Sequence, residues 1–254
     1  MALKLQLFLC KLKKTIFFFT LNFVFFSNAL SAKDQLIVAV GLAKPPYVIQ
    51  ADDSGFELDL IRNILKKMGK STKFVYTQFG HSSKMLEVKE VDAVMTTNHD
   101  VFDDNSKLSD EYITYQNVAI SLKNSNLTVN RIEDLANYSI ASFQKADKVL
   151  GQVFADAVDK CPLYVKIADQ SQQPMLLLKN RVEVLVMDRN IFKYFARELG
   201  IKDMDAQFTF HQIFPKTHYR MAFKNKKYVQ IFNDTFALYK QTDEYLFLRK
   251  NYNL

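Results

Sequence analysis

The segment VDAVMTTNHDVFDDN (91–105) passes abruptly from an apolar run into a string of polar side chains. His99, Asp100, Asp103 and Asp104 are close enough in sequence to suggest a metal site. A calcium loop needs oxygen ligands at alternate positions around a glycine, with a closing glutamate, and this segment has neither. Zinc calls for more His or Cys. The four therefore read as a solvated acidic loop, and no metal is expected. A second group ends the apolar run RVEVLVMD at Asp188. A carboxylate there can bind an amine through charge-assisted hydrogen bonds. It can equally be the N-cap of a helix starting near Asn190, and position alone leaves both readings open. Tyr47 and Phe79 each lie just beyond a strand. They could flank an apolar ligand group or pack in the core. The four histidines, at 81, 99, 211 and 218, fall in no catalytic arrangement. No GxSxG, HExxH, CxxC or phosphate-binding loop is present, so neither a hydrolase nor a cofactor is implied.

The elements that must position these groups are visible as alternating patterns. LIVAVGL (36–42), KFVYTQF (73–79) and VDAVMTT (91–97) read as strands. Between the first two, Phe56, Leu60, Ile61, Ile64, Leu65 and Met68 recur at helical spacing. Asp52, Asp53 and Ser54 are N-cap candidates for that helix, and Gly69 is its stop. YQNVAISLK (115–123) reads as one longer strand. A similar unit then restarts, with strands at 138–143, 163–168 and 182–188, and ADKVLGQVFADAV as a helix. A further strand is expected at 218–224, and two helices near 227–239 and 242–251. This alternation predicts parallel sheets with crossover helices, arranged as two α/β lobes joined by extended segments. Ligands bind such sheets at the carboxyl ends of the strands. Thr96, Thr97, Asn98 and His99 stand there in the first half; Gln144, Lys145, Asp188, Arg189 and Asn190 stand there in the second.

Residues 1–32 differ from the rest. MALKLQLFLCKLKK is basic, TIFFFTLNFVFF is a twelve-residue apolar run, and SNALSA is a tail of small residues. That order is the pattern of a secretory signal peptide, with cleavage expected after Ala29, Ser31 or Ala32. The run is short for a membrane span. Cys10 precedes it and follows Leu9, so it is not a lipoprotein cysteine. Removing the leader and its four lysines leaves 30 basic residues against 27 acidic. With no basic stripe, nucleic acid is not an expected partner. Cys161 then stands alone, so no internal disulfide forms. The expectation is a soluble protein, periplasmic or otherwise exported.

The order and spacing of several motifs resemble a family 3 extracellular solute-binding protein, the polar amino-acid class that serves ABC importers. GFELDLIRNILKKM (55–68) follows the family's Gly-aromatic-acid-aliphatic-acid-aliphatic signature, departing at Leu65, where a smaller residue is usual. PPYVI stands before it and VDAV after it. LSDEY is similar to the family's Phe-Ser-Asp-Pro-Tyr element, and IEDLANYSIASFQ to its strand entry into the second lobe. The likeness spans roughly residues 35–252. It implies a two-lobed, periplasmic-binding-protein-like (type II) fold, each lobe a mostly parallel sheet flanked by helices. Lobe one would be 35–119 plus 219–254, and lobe two 120–218, with the ligand cleft between them. It also implies that Tyr47 and Phe79 flank the ligand side chain, that Thr96 and Thr97 bind it, and that Asp188 grips its ammonium. Two features of the family are absent. The arginine that pairs with the ligand carboxylate has no counterpart before Ser109, and FQKAD stands where the family has a Gly-Thr pair. Lys145 is the first candidate for a replacement cation and Arg220 a second, though Lys145 reads equally well as a surface residue.

The expected function is capture of a small polar ligand, amino-acid-like or an amine, by lobe closure. The protein would act as a monomer without catalytic activity, and a membrane permease would be its partner. The alternatives are a dehydratase-like periplasmic enzyme, for which His99, Asp188 and Glu57 are the available acids and bases, and a sensory module presenting its ligand to a receptor.

Overall fold

The computed structural model describes residues 34–77, 82–87, 91–99, 102 and 104–254. The expected leader, Phe79, Asp100 and Asp103 lie outside these residues.

The first strand, β1 (Gln35–Gly41), leads through a turn into α1 (Phe56–Lys67). Lys44 and Val48 form an antiparallel bridge across that turn, and the Pro45–Pro46 peptide is cis. The apolar positions Phe56, Leu58, Leu60, Ile61, Ile64 and Leu65 of α1 are all buried. Glu57 and Asp59 in the first turn and Lys66 and Lys67 in the last match the helix dipole. The N-cap is Gly55 rather than one of Asp52–Ser54. Gly55 has φ +122°, and an added Cβ would lie 2.4 Å from the Tyr47 carbonyl oxygen, so no other residue fits. Its N–H donates to Tyr252 Oη at 3.0 Å, and that hydroxyl donates to Asp59 Oδ2 at 2.5 Å. Tyr252→Phe orphans both partners. We expect a loss of about 1–3 kcal/mol in urea unfolding; an unchanged midpoint would show that the tie adds nothing.

The chain continues through β2 (Ser71–Thr77), α2 (Ser82–Glu87), β3 (Ala93–Thr97) and β4 (Leu108–Tyr115). β5 (Asn117–Leu122) follows after a single residue, Gln116. The run expected as one strand over 115–123 is thus two strands in two sheets. A period-two pattern does not encode which sheet a strand joins, and Gln116 is where the chain crosses. The second sheet adds β6 (Ile140–Phe143), β7 (Tyr164–Ile167), β8 (Val184–Asp188) and β9 (Phe208–His211). Its helices are α3 (Ala146–Val149), α4 (Gln152–Lys160), α5 (Gln173–Leu178), α6 (Arg189–Glu198) and α7 (Met204–Gln207). The single helix expected over ADKVLGQVFADAV is α3 and α4, broken at Gly151, whose φ of +88° ends one and caps the other. The chain then returns to the first sheet as β10 (Thr217–Phe223) and finishes in α8 (Lys227–Tyr239) and α9 (Asp243–Asn251).

Each sheet has five strands, in the orders β2-β1-β3-β10-β4 and β7-β6-β8-β5-β9. Both are mixed. β1 runs parallel to β2 and β3, and β10 runs antiparallel to β3 and β4. In the second sheet β6 is parallel to β7 and β8, while β5 is antiparallel to β8 and β9. Two crossings therefore join the lobes, one at Gln116 and one between His211 and Thr217. Gln116 Nε2 donates to the Phe214 carbonyl at 3.0 Å, tying one crossing to the other.

Candidate binding cleft

The carboxyl ends of the parallel strands of both sheets converge on one cavity of about 270 Å³. Lys44 beyond β1, Thr96 in β3 and Tyr115 at the end of β4 come from the first lobe. Asn117, Gln144 beyond β6 and Asp188 at the end of β8 come from the second. The wall thus presents an ammonium, a carboxylate, hydroxyls, amides and an aromatic ring.

A buried carboxylate organises the first-lobe side. Glu57 is 0% exposed. Its Oε1 accepts from Thr96 Oγ1 at 2.7 Å and from the Tyr112 hydroxyl, and its Oε2 accepts from Tyr115 Oη at 2.7 Å. Tyr112 Oη also accepts from the Thr96 N–H at 2.8 Å. Thr96 has φ +56°, a left-handed conformation that is unusual for a β-branched residue. The two bonds hold it there. Burial, with the Glu57 charge second, keeps both tyrosine hydroxyls far above their ordinary pKa. They therefore stay protonated and donate.

Asp188 anchors the other side. It is the N-cap of α6: Oδ1 accepts from the N–H groups of Asn190 (2.8 Å) and Ile191 (3.1 Å). Oδ2 accepts from the Gln116 N–H at 2.9 Å, and the Tyr47 hydroxyl also bonds the carboxylate. Asp188 is thus the cap of α6, and the same carboxylate also lines the cavity. Burial raises its pKa to about 6, against the pull of those backbone donors. Tyr47 Oη in turn accepts from Asn190 Nδ2 at 2.9 Å, so one hydroxyl bridges the lobes.

The chain matches the bacterial extracellular solute-binding proteins, family 3, over residues 36–254. It belongs to that family. An ancestral arginine-binding protein bound to arginine is 20% identical with a TM-score of 0.67, over 87% of this chain and 98% of that one. The GluR0 ligand-binding core in complex with L-glutamate is 15% identical with a TM-score of 0.70, over 87% and 99%. The ancestral amino acid-binding protein described as a precursor of cyclohexadienyl dehydratase is 17% identical with a TM-score of 0.67, over 86% and 95%. At these identities the likeness carries the fold alone. No curated protein matches in sequence.

As a family 3 solute-binding protein, the chain distributes its expected site residues unevenly. Thr96 and Asp188 line the cavity. Tyr47 is 2% exposed and stacks on Tyr115, centroids 4.2 Å apart, with its hydroxyl spent on the lobe bridge. Thr97, the next residue along β3, is buried and outside the cavity wall. Asn98 and His99 continue beyond the strand; His99 is exposed, with Nδ1 2.7 Å from Asn105 Oδ1. Lys145 is an exposed residue at the start of α3 with φ +62°, and the wall is formed instead by its neighbours Phe143 and Gln144. Arg220 Nη1 donates to the Ser109 carbonyl at 2.7 Å and Nη2 to Glu111 Oε1 at 3.1 Å, so its guanidinium is committed on β10 and β4. Among the described residues no His, Cys, Asp or Glu side chains are grouped to hold a metal ion.

Lys44, the residue before PPYVI, was not among the expected site residues. Lys44 follows the carboxyl end of β1, and the strand-end rule that singled out Thr96 and Asp188 points to it as well. Its Nζ lies over the Tyr115 ring, 5.4 Å from the centroid. Burial lowers its pKa, while Glu57 and then Asp188 oppose the shift.

Proposed function

We propose that this protein is exported and captures a small polar ligand, amino-acid-like or an amine, by closing its lobes on the cavity. It then delivers that ligand to the permease of an ABC importer. The observation that carries the reading is the cavity itself. Groups from both lobes line it, so a ligand touches all of them together only when the lobes are closed. The amino acids held by the solved relatives are of the size and polarity such a wall suits. Lys44, Thr96, Tyr115, Asn117 and Gln144 are the proposed contacts, with Asp188 as part of the wall beside them, and no step of chemistry is assigned to them. Among the described residues no helix is long and apolar enough to cross a membrane.

A thermal-shift screen of amino acids, amines, small peptides and dicarboxylates tests this. A ligand at a hundred times its Kd adds about 2.7 kcal/mol, which for a chain of this size raises Tm by roughly 5–10 °C. The rise should grow with concentration and be matched by a calorimetric Kd. A flat response across every class would reject solute capture.

A further inference from the structure

We infer that Lys44 is the anion anchor of this cleft, and that the ligand is a small carboxylate recognised by its negative group rather than by an ammonium. The inference rests on the capture reading and names the chemistry of its ligand.

Both acids near the cavity are already committed. An ionised carboxylate has about four acceptor sites. The Asp188 sites receive the N–H groups of Asn190, Ile191 and Gln116 and the Tyr47 hydroxyl. Glu57 receives three hydroxyls and stands behind Thr96 and Tyr115 rather than in the wall. A ligand ammonium brought to Asp188 finds those sites filled and meets the like charge of Lys44.

Lys44 is in the opposite condition. An ammonium has three donors and no acceptor, and among the described residues its Nζ has no hydrogen-bond or ion-pair partner. It lies over the face of Tyr115, and the charges of Glu57 and Asp188 act on it without a direct bond. It is partly buried and lines the cavity. A desolvated cation with open donors is stabilised by an anion that supplies acceptors, and charge-assisted bonds of this kind are the strong ones. No arginine lies between Asn98 and Ser109 to compete for that anion. Lys145 and Arg220, the cations suggested by sequence, are outside the wall.

The test uses matched sets on the purified protein: histidine, imidazolepropionate and histamine; arginine, guanidinovalerate and agmatine; leucine, isocaproate and isoamylamine. Within any set that binds, the amino acid and its des-amino carboxylate should bind within about tenfold of each other, and the decarboxylated amine should not bind. Lys44→Met should weaken carboxylate binding by about 10- to 100-fold, with an unchanged unfolding midpoint showing that it folds. Lys44→Arg should retain most of the affinity. An amine that binds while its des-amino partner fails, or a Lys44→Met protein with full affinity, overturns the role of Lys44 and leaves solute capture standing. No binding by any set, together with a flat response from the peptides and dicarboxylates of the wider screen, overturns both.

Discussion

Replacing Glu57 with alanine is expected to lower the unfolding free energy by about 3–5 kcal/mol, the summed cost of buried donors left without an acceptor and of the cavity opened beside them. The side chain is 0% exposed and is the shared acceptor for the hydroxyls of Thr96, Tyr112 and Tyr115. Alanine leaves three buried donors without an acceptor and opens a cavity beside them. Glu57→Gln separates the two effects. The amide fills the same volume and its oxygen still accepts from Thr96 and Tyr112. Its NH2 faces the Tyr115 hydroxyl, so one donor loses its acceptor, at about 1–3 kcal/mol. Because Thr96 and Tyr115 form part of the cavity wall, the glutamine variant should also bind ligand more weakly than its stability loss explains. Urea unfolding and calorimetry on both variants check this. Variants within about 0.5 kcal/mol of the parent, the range of an ordinary surface change, would mean that the network does not organise the site.

The second large effect is expected at Asp188. Asp188→Ala removes the cap of α6, at about 1 kcal/mol. It also strands the Gln116 N–H and the Tyr47 hydroxyl, for a total of about 2–5 kcal/mol. Asp188→Asn keeps an acceptor for Asn190 and Ile191 and should cost less. The pH dependence distinguishes the pair further. The folded-state pKa of about 6 lies above the ordinary aspartate value near 3.9. The folded protein therefore holds this proton longer than the unfolded chain does. The resulting stability is fully present below about pH 4 and is lost as pH rises through 6, a swing of about 3 kcal/mol. Asparagine has no such proton. The difference in unfolding free energy between parent and Asp188→Asn, followed from about pH 4 to pH 7, should change by that amount with the parent losing ground at higher pH. Parallel curves would show that Asp188 is not held in the state described.

Much of the architecture was legible because the alternation of strand and helix in the first half restarts in the second, and because GFELDLIRNILKKM places its buried face at helical spacing. What stayed hidden depended on partners far away in sequence. Gln116 looked like one residue of a continuous strand, since only pairing with β8 and β9 reveals that its neighbours belong to the other sheet. Tyr47 looked like a cleft aromatic, since neither Tyr115 nor Asn190 is visible from position 47. Asp188 supported two readings from sequence because a carboxylate at the end of a strand can cap the next helix and line a cleft from the same position. Lys44 stood just outside the PPYVI motif, and the ring it lies over, Tyr115, is far along the chain.

The order of strands in the two sheets has a consequence for how the protein is made. The second sheet is one uninterrupted stretch, 117–211, and all its pairing partners exist once that stretch has been synthesised. The first sheet cannot close then, because β10 lies between β3 and β4 and is translated only after the whole second sheet. Until Thr217–Phe223 arrives, β3 and β4 both face an empty seat. Domains generally fold as units, in the order their residues become available. The lobe that begins the chain is thus the second to be completed, and a chain cut short after residue 216 would keep a whole second sheet beside a first sheet split in two.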